Sequence, residues 1–368
     1  MKNNSSIIKI FTITFLLFIL IDFLAGKYIY NKFIRSNFID VDTSFAEKDN
    51  IYDHKFKKNN NTIVGWGKFR YNLCTDSNGF RNSCKNQFSS LKEFDIAFLG
   101  DSFTEPVGMN FENSFVGIIS SHMEKKRIAN LAVTSYSPSI YFAKINFLLS
   151  KGYKFKEIIT FIDLSDIVDD TVCYKLNKNI IERRKSYSDC RKQDLNLQDK
   201  ISDFFKEKLT LSYEFYSLTK VKLISNNLIS YKVPNRVVNH PRSDWTHNYK
   251  KENYNNFSYE ESTGILLSNM EKLSKLLKDN KIDLSIAIYP WPGTLKYDSE
   301  DNKQVEIWKN FCISRCKKFY NFMEPFYNLL KYDEFANVYR KIYIENDQHF
   351  NEEGHKIIAE NFLKLYKD

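Results

Sequence analysis

Two short motifs, far apart in the chain, contain the residue types needed for nucleophilic catalysis. Ser102 follows the apolar run Phe94–Leu99 after a two-residue Gly-Asp turn, and His349 stands two residues after Asp347. Serine catalysis requires a hydroxyl that attacks, an imidazole that takes its proton and a carboxylate that orients the imidazole. The sequence therefore predicts a catalytic triad of Ser102, His349 and Asp347.

Each of these residues also has a structural interpretation. A serine just after a strand commonly caps the next helix, and Asp347 is placed to form a turn before a helix predicted over Glu352–Tyr366. The pairing of Gly-Asp-Ser with a distant Asp-x-His favours catalysis. The other histidines are scattered without the spacing of metal ligands, so the sequence indicates neither a metal nor a cofactor.

Alternating strand and helix patterns predict an α/β fold with a mostly parallel sheet of five strands. The candidate strands are Ile96–Leu99, Ile128–Val133, Ile158–Ile162, Leu284–Tyr289 and Phe319–Phe322. Helical patterns cover Phe115–Lys125, Ser139–Ser150, Tyr259–Lys278 and Lys303–Lys317. Because Ser102 comes directly after the first strand, it is predicted to lie at the carboxyl edge of the sheet, where open α/β sheets bind ligands.

The motifs resemble the conserved blocks of the SGNH (GDSL) hydrolases. The segments that carry the resemblance are Gly100–Ser102, Asn130–Pro138, Phe161–Ile167 and His349–His355. It extends over roughly Phe94 to Asp368, except for Thr171–Phe257, which matches no block. The Asp-x-His spacing is similar to that of bacterial polysaccharide O-acetyltransferases, in which this motif precedes the serine. The resemblance implies a flavodoxin-like three-layer sandwich, the SGNH hydrolase fold.

The resemblance further implies an oxyanion hole formed by Ser102, Ser135 and Ser165. Ser135 stands where the family has a glycine, and Ser165 stands where it has an asparagine. The backbone N–H groups of Ser102 and Ser135 donate whatever the side chain is, whereas a serine hydroxyl reaches less far than an asparagine amide. Asp166, which would repel an oxyanion if it pointed inward while charged, is assigned to substrate binding.

Trp291 is the second residue assigned to substrate binding. It stands between Pro290 and Pro292 just after the fourth predicted strand, again at the carboxyl edge. Sugar rings stack on aromatic side chains held in stiff loops, so Trp291 is predicted to form a wall of the pocket. Packing of this loop onto the sheet is the alternative.

The amino terminus contains a nearly continuous apolar run over residues 7–26, interrupted by Lys9 and Asp22. About 20 such residues span a bilayer, and Lys2 and Lys9 place residues 1–6 in the cytoplasm. A cleavable signal peptide is the alternative, but Asp22 and the following Lys27 fit cleavage poorly. The sequence predicts a transmembrane signal anchor in a bacterial inner membrane, with the bulk of the chain periplasmic or extracellular.

The remaining chain divides into a juxtamembrane segment over 27–93, which is predicted to pack on the core, and a catalytic domain over 94–368. A charged, mostly helical insertion at about 171–257, with its clearest helix over Asp194–Tyr216, is either a lid or acceptor platform, or a solvated appendage. Within the juxtamembrane segment, Trp66 and Arg81 are near enough in sequence to reach the site, but structural roles are favoured for both.

Composition excludes several classes of protein. The chain has 368 residues, of which 43% are hydrophobic, so it is globular and not disordered. Its net charge of +9 comes from lysines spread along the chain without a basic helix, so nucleic acid is not a predicted partner. Six cysteines form three neighbouring pairs that suggest local disulfides, although six cysteines permit 15 connectivities and free buried thiols are the alternative for some of them. The pairs are Cys74 with Cys84, Cys173 with Cys190, and Cys312 with Cys316.

The motifs and the predicted anchor together indicate an enzyme that forms an acyl intermediate on Ser102. Water as acceptor gives an esterase, and a sugar hydroxyl gives an O-acyltransferase. The expected substrate is an O-acetyl ester of a cell-envelope or exported polysaccharide, with a membrane acyl-transferase as an expected partner of the transfer reaction. A non-catalytic glycan-binding module and a lipid esterase are the alternative functions.

Overall fold

The computed structural model describes residues 2–30, 32, 44–67, 69–185, 190, 197–226, 228–248 and 257–366. The chain divides into two compact units. One comprises Met1–Asp40 and Gln193–Lys232, and the other comprises Val41–Lys192 and Val233–Asp368. The second unit contains the sheet and both motifs, so the predicted insertion over 171–257 is divided between the two units.

A parallel sheet of five strands forms the centre of the second unit, as predicted. The strands β1 to β11 are Ala46–Asp49, Asp53–Phe56, Asn61–Trp66, Phe69–Cys74, Glu93–Leu99, Ile128–Asn130, Lys154–Phe161, Tyr174–Asn177, Ile180–Arg183, Asp283–Ile288 and Lys318–Asn321. The sheet has the order β11-β10-β7-β5-β6, and all neighbouring strands are parallel. This is the flavodoxin-like order, so the predicted fold class is confirmed.

Eleven principal α-helices accompany the strands in the part of the chain that the structure describes. In chain order, α1 to α11 are Lys2–Ile21, Phe115–His122, Pro138–Ser150, Leu197–Lys208, Thr210–Ser225, Tyr259–Asp279, Pro292–Tyr297, Lys303–Cys312, Met323–Leu330, Phe335–Ile342 and Glu352–Leu365. Helix α3 packs on α6, and α2 packs on α11. Right-handed crossovers place these two pairs on opposite faces of the sheet, which gives the three layers.

The central strands are apolar on both faces because helices cover both faces. In β5, every residue from Ile96 to Leu99 is buried. Capping side chains determine where the covering helices begin: Ser258 and Glu261 form a capping box at α6, and Asn302 caps α8. Pro138 occupies the first position of α3, where the missing N–H breaks no hydrogen bond.

Two antiparallel hairpins, β1-β2 and β3-β4, precede the sheet in the second unit. The Cys74–Cys84 disulfide closes the end of β4, and a second disulfide joins Cys312 to Cys316. Arg81 is buried, and its guanidinium donates to backbone carbonyls, so its role is structural. The third predicted bridge is not formed: Cys173 and Cys190 are thiols that hydrogen-bond each other.

The first unit contains the apolar helix and a helical pair. Residues Ile7–Ile29 form a helix long and apolar enough to cross a membrane, a property that a signal sequence near the amino terminus shares. The helix predicted over Asp194–Tyr216 is two helices, α4 and α5, which are interrupted at Leu209. Residues 194–196 of that prediction, and 33–43 of the predicted juxtamembrane segment, lie outside the described residues.

Lys144, on α3, is a buried amine in the second unit. It is 2% exposed, and its Nζ donates to the Leu131 carbonyl at 2.7 Å and to the Tyr136 hydroxyl at 3.3 Å. The Tyr136 ring lies 4.7 Å from the amine. Burial lowers the pKa of Lys144 to about 7, because a charged ammonium loses its hydration inside the protein.

We expect this amine to make stability depend on pH. Between pH 7 and 10.5 the unfolded chain holds a proton on Lys144 that the folded chain does not hold, so the free energy of unfolding rises with pH across this window. The contribution is up to about 1.4 kcal/mol per pH unit. Chemical denaturation of the full chain in detergent should show a smaller rise for Lys144→Met than for wild type. Exposed Lys125→Met is the control, and an equal rise in both variants would contradict the assignment.

Candidate active site

Gly100 lets the chain turn sharply at the end of β5. A Cβ at this position would lie 2.2 Å from Thr104 Oγ1 and 3.3 Å from the Phe161 carbonyl oxygen, so a larger residue does not fit. The turn places Ser102 beyond the carboxyl end of β5, an inner strand of the sheet between β7 and β6. The predicted position of Ser102 at the carboxyl edge of the sheet is therefore confirmed.

Ser102 does not cap an α-helix. The next α-helix, α2, begins at Phe115, and its cap is Ser114, whose hydroxyl accepts a hydrogen bond from the Gly117 N–H at 3.0 Å. Residues 102–108 form turns. The helix-cap interpretation is therefore wrong for Ser102, and its hydroxyl contacts His349 from a distant part of the chain and the adjacent Asp101.

A tight loop between α10 and α11 holds the histidine. The Ile344 N–H donates to the His349 carbonyl at 2.8 Å, and the Tyr339 hydroxyl donates to the Asp347 carbonyl at 2.8 Å. Asn351 caps α11 two residues later, with its side chain accepting from the first amides of the helix. The loop is therefore fixed at both ends, which restricts the positions of Asp347 and His349.

The structure brings Ser102, His349 and Asp347 together. Ser102 Oγ lies 2.8 Å from His349 Nε2, and His349 Nδ1 lies 2.5 Å from Asp347 Oδ1. The His349 backbone N–H also donates to Asp347 Oδ1 at 2.9 Å. With Nδ1 donating to the carboxylate, Nε2 is free to accept the hydroxyl proton as the serine oxygen attacks. This is the geometry of an activated nucleophile.

Trp66, the last residue of β3, supports the carboxylate. Its Nε1 donates to Asp347 Oδ2 at 2.9 Å, and its ring stands edge-on to His349 at 5.1 Å between ring centroids. Burial raises the pKa of Asp347. The charge of His349, its hydrogen bonds and the hydrogen bond from the Trp66 N–H outweigh this effect and lower the pKa to about 2, below its ordinary value. The carboxylate is thus ionised at physiological pH. The sequence favoured a purely structural role for Trp66, but its side chain contacts Asp347 and lines the cavity.

A cavity of about 30 Å³ opens beside Ser102. It is lined by Trp66, Asp101, Ser102, Ser135, Ser165, Arg242, Trp291, Gln348 and His349. All three residues predicted for the oxyanion hole therefore lie at one cavity. Ser135 has a φ of 67°, in the left-handed region that favours glycine. The Ser165 N–H donates to Asp163 Oδ1 at 2.8 Å, so any contribution of Ser165 to an oxyanion hole must come from its hydroxyl.

The two residues predicted to bind substrate lie in different environments. Trp291 lines the cavity, while its Nε1 donates to Asp163 Oδ2 at 2.7 Å, so it both packs and forms a wall. Asp166 is fully buried and does not line the cavity. Its Oδ2 accepts hydrogen bonds from the Tyr141 hydroxyl and the Asp163 N–H. The assignment of Asp166 to substrate binding is therefore corrected: its side chain is part of the buried polar layer behind the cavity.

Buried carboxylates lie close to Ser102. Asp101 Oδ2 lies 3.2 Å from the Ser102 hydroxyl. Burial, and then the charge of Asp163, raise the pKa of Asp101 well above its ordinary value. Asp169, also buried, forms an ion pair with Arg242. The site thus contains a concentration of acidic groups with one arginine among them.

No sequence pattern identifies Arg242 as a site residue. It lies 140 positions after Ser102, inside the charged insertion, where a single arginine is an ordinary surface residue. Asp101 and Gln348 also line the cavity, and both stand inside the two motifs, next to Ser102 and His349. Adjacency to a predicted catalytic residue was therefore a usable signal for those two positions, but not for Arg242.

The sequence matches no protein-family model and no curated protein. Solved structures with a similar fold include an acetylxylan esterase from Geobacillus stearothermophilus, at 12% identity and a TM-score of 0.40 over 76% of this chain and 97% of that one. A member of the lipolytic G-D-S-L family from Veillonella parvula aligns at 10% identity and a TM-score of 0.39, over 74% of this chain and 97% of that one. Likeness at this level does not assign an activity to the chain.

We expect Trp66→Phe to reduce the reactivity of Ser102. The substitution removes the Nε1 donor to Asp347, and hydrogen bonds to charged groups contribute about 1.5–3 kcal/mol, so a fall of about 10-fold or more is expected. The measurement is the rate at which a fluorophosphonate labels Ser102, followed by intact mass. Trp308→Phe, a buried tryptophan outside the cavity, is the matched control. An unchanged labelling rate in folded Trp66→Phe would show that the hydrogen bond does not support His349.

Proposed function

We propose that the chain is an SGNH-type serine ester hydrolase or O-acyltransferase that works through an acyl-enzyme on Ser102. The observation that carries this proposal is the continuous hydrogen-bonded chain from Ser102 Oγ to His349 and on to Asp347, at 2.8 and 2.5 Å. The same three residues are those that the two motifs predict.

In the first half of the reaction, Ser102 Oγ attacks the ester carbonyl carbon and its proton passes to His349 Nε2. The carbonyl π electrons move to the oxygen, which becomes an oxyanion, and Asp347 stabilises the imidazolium. The backbone N–H groups of Ser102 and Ser135 are the proposed first donors to that oxyanion. When the intermediate collapses, His349 returns the proton to the leaving alcohol, and the acyl group stays on Ser102.

In the second half, an acceptor hydroxyl attacks the acyl-enzyme while His349 Nε2 takes its proton. Water as acceptor releases a carboxylic acid, whereas a sugar hydroxyl receives the acyl group. The chemistry up to the acyl-enzyme is the same for both acceptors, so the esterase and the O-acyltransferase are both included in the proposal.

The size and lining of the cavity favour a short acyl group. A space of about 30 Å³ takes roughly two water molecules or a group as small as acetyl. Seven of the nine lining residues are polar or charged, and the other two are Trp66 and Trp291. A lipid esterase needs a wide apolar groove, so these features support an O-acetyl ester. Trp291 is 2% exposed, so it bounds the cavity as a packed wall and does not offer an open ring face to a sugar.

The apolar helix Ile7–Ile29 supports a place for the enzyme at a membrane. We propose that it is an uncleaved signal anchor in a bacterial inner membrane, with the catalytic unit periplasmic or extracellular. The substrate would then be an acetylated cell-envelope or exported polysaccharide. For the transfer reaction, a membrane acyl-transferase is the proposed partner that supplies the acyl group.

A non-catalytic glycan-binding module is the competing function. It would be favoured by a charged Asp166 directed at the oxyanion or by Trp291 blocking Ser102. Asp166 is instead turned away among Tyr141 and the Asp163 amide, and Ser102 lines the same cavity as Trp291. Both placements support catalysis over binding alone.

The first test is hydrolysis of p-nitrophenyl acetate by the full chain in detergent. Because Ser102→Ala removes the nucleophile, we expect turnover to fall by at least about 10³-fold. Ser121→Ala, an exposed serine on α2, is the matched control and should retain full activity. The acetyl ester should be preferred to the octanoyl ester because of the small cavity. Wild-type protein that is folded and inactive, with or without oligosaccharide acceptors, would exclude the proposal.

A further inference from the structure

Arg242 reaches the cavity because its segment is anchored on the second unit. Trp245 is buried, and its Nε1 donates to the Leu164 carbonyl at 2.9 Å. The His240 ring stands edge-on to Trp291 at 5.2 Å between centroids. Gly293 lies so close to this segment that a Cβ would be 2.4 Å from the Val238 carbonyl oxygen. This part of the predicted insertion is therefore a packed wall of the site, not a solvated appendage.

The guanidinium of Arg242 is only partly used by the protein. One terminal nitrogen donates to Asp169 Oδ2, and the side chain is 12% exposed. Its Nε is buried and has no hydrogen-bond partner among the described residues. A buried donor without an acceptor costs about 1–3 kcal/mol. A guanidinium with an unused donor, lining the cavity of the nucleophile, is suited to a group that is present only during the reaction.

The charges around the cavity also indicate that Arg242 binds a group that is present only during the reaction. Among the nine residues that line the cavity, Arg242 alone carries a permanent positive charge, and Asp101 is the acidic residue. Asp163 and Asp169 lie buried behind them. Burial raises the pKa of Asp101 well above its ordinary value and so disfavours its negative charge, which leaves Arg242 as the fixed charge that an oxyanion beside Ser102 would meet. In a site that excludes water, such a fixed charge acts strongly on the transition state.

We propose that Arg242 is a catalytic residue that donates to the oxyanion formed at Ser102, and that Asp169 is the positioning residue that holds its guanidinium. The inference rests on the proposed function. As the Ser102 Oγ–carbon bond forms and the carbonyl π pair moves onto oxygen, the oxyanion accepts a hydrogen bond from the guanidinium. When the intermediate collapses, that electron pair reforms the carbonyl, and Arg242 neither gains nor loses a proton.

The test compares Arg242→Gln, Arg242→Lys and Arg242→Ala in the full chain. We expect Arg242→Gln to lower kcat for p-nitrophenyl acetate by about 10²–10³-fold, while KM changes little, because the contact exists only in the transition state. Lysine should restore part of the rate, and added guanidinium ion should restore part of it in Arg242→Ala. Arg236→Gln, an exposed arginine of the same segment, is the matched control. An unchanged kcat, or a change in KM alone, would overturn the proposal.

The double variant Arg242→Gln/Asp169→Asn distinguishes a structural role of Arg242 from donation to the oxyanion. If Arg242 only neutralises Asp169, removing both charges should restore activity, and that result overturns the proposal. If Arg242 donates to the oxyanion, the double variant should stay as slow as the single one. The double variant also avoids an unpaired buried carboxylate, so it provides a second folded protein for the test.

Labelling of Ser102 by the fluorophosphonate separates this inference from the proposed function, since the phosphoryl oxygen occupies the oxyanion position. Wild type that is labelled but hydrolyses no ester would refute the proposed function, and the labelling rate then decides on Arg242. A slower rate in Arg242→Gln supports its role, and an equal rate overturns it. Wild type that is not labelled overturns both proposals.

A second inference comes from the first unit. Asp22, in the apolar helix, is 1% exposed, and its carboxylate accepts hydrogen bonds from the Leu211 and Ser212 N–H groups at 3.0 and 2.8 Å. These amides belong to the first turn of α5, which has no internal acceptors for them and favours a negative charge. The buried charge within the apolar run thus holds the start of α5 against the helix.

Helix α4 leaves an apolar face uncovered, and α5 exposes apolar residues that are interspersed with exposed lysines. On α4 the exposed residues are spaced as one helical stripe: Leu197, Ile201, Phe204 and Phe205. On α5 they are Phe215, Leu218 and Val221. Asp22 lies seven residues before Ile29, the end of the apolar helix, which corresponds to roughly 10 Å along the axis. Amphipathic helices in a membrane interface insert their apolar faces about 5–10 Å deep.

The geometry points to the lipid bilayer as the partner of these apolar residues: α4 and α5 lie in the interface of the membrane that the apolar helix spans. The test uses the full chain in vesicles of phosphatidylcholine and phosphatidylglycerol with brominated acyl chains. Trp introduced as Phe204→Trp should be quenched strongly by these lipids, whereas the control Lys206→Trp, exposed on the opposite side of α4, should be quenched much less. Equal quenching of both would overturn the inference, as would loss of residues 1–26 from the mature chain by intact mass.

Discussion

The placement of one imidazole ring is the constraint on which the candidate site depends. His349 Nδ1 is hydrogen-bonded to Asp347 from the same loop, and its Nε2 faces Ser102 from a distant part of the fold. The β5 turn supplies the serine, the loop between α10 and α11 supplies the acid and base, and Trp66 from a hairpin before the sheet holds the far oxygen of the carboxylate. The sheet is the frame that keeps these three parts in register.

The electrostatics of the site are built from opposing terms. Asp347 is kept ionised at physiological pH by its hydrogen bonds, while burial raises the pKa of Asp101 close by. The two carboxylates therefore have different environments although both lie near the nucleophile. A negative intermediate in this setting needs fixed positive charge, which gives the pair of Asp169 and Arg242 a place in the chemistry as well as in the packing.

Local sequence patterns were sufficient to predict the sheet and the proximity of Ser102, His349 and Asp347. The inner strands are buried on both faces and appear as short apolar runs, and Ser102 and His349 stand in motifs at strand and helix ends. Trp66 and Arg242 were beyond such reasoning, because their roles depend on contacts across 281 positions for Trp66 and on a packed segment inside an irregular insertion for Arg242. The side-chain direction of Asp166 could not be predicted from the sequence either, because it depends on a hydrogen bond from the Tyr141 hydroxyl. The short helices α7, α9 and α10 lack a long periodic pattern.

The wide separation along the chain of the residues that meet at the site has a consequence for folding. Ser102 and His349 are 247 positions apart, and Trp66 and Asp347 are 281 apart. Contacts between distant positions pay a larger loop-closure entropy before they bring any gain, so they form late. The loop over residues 343–351 carries the buried side chains Tyr343, His349 and Phe350, so its late docking completes part of the core and the candidate site in one step.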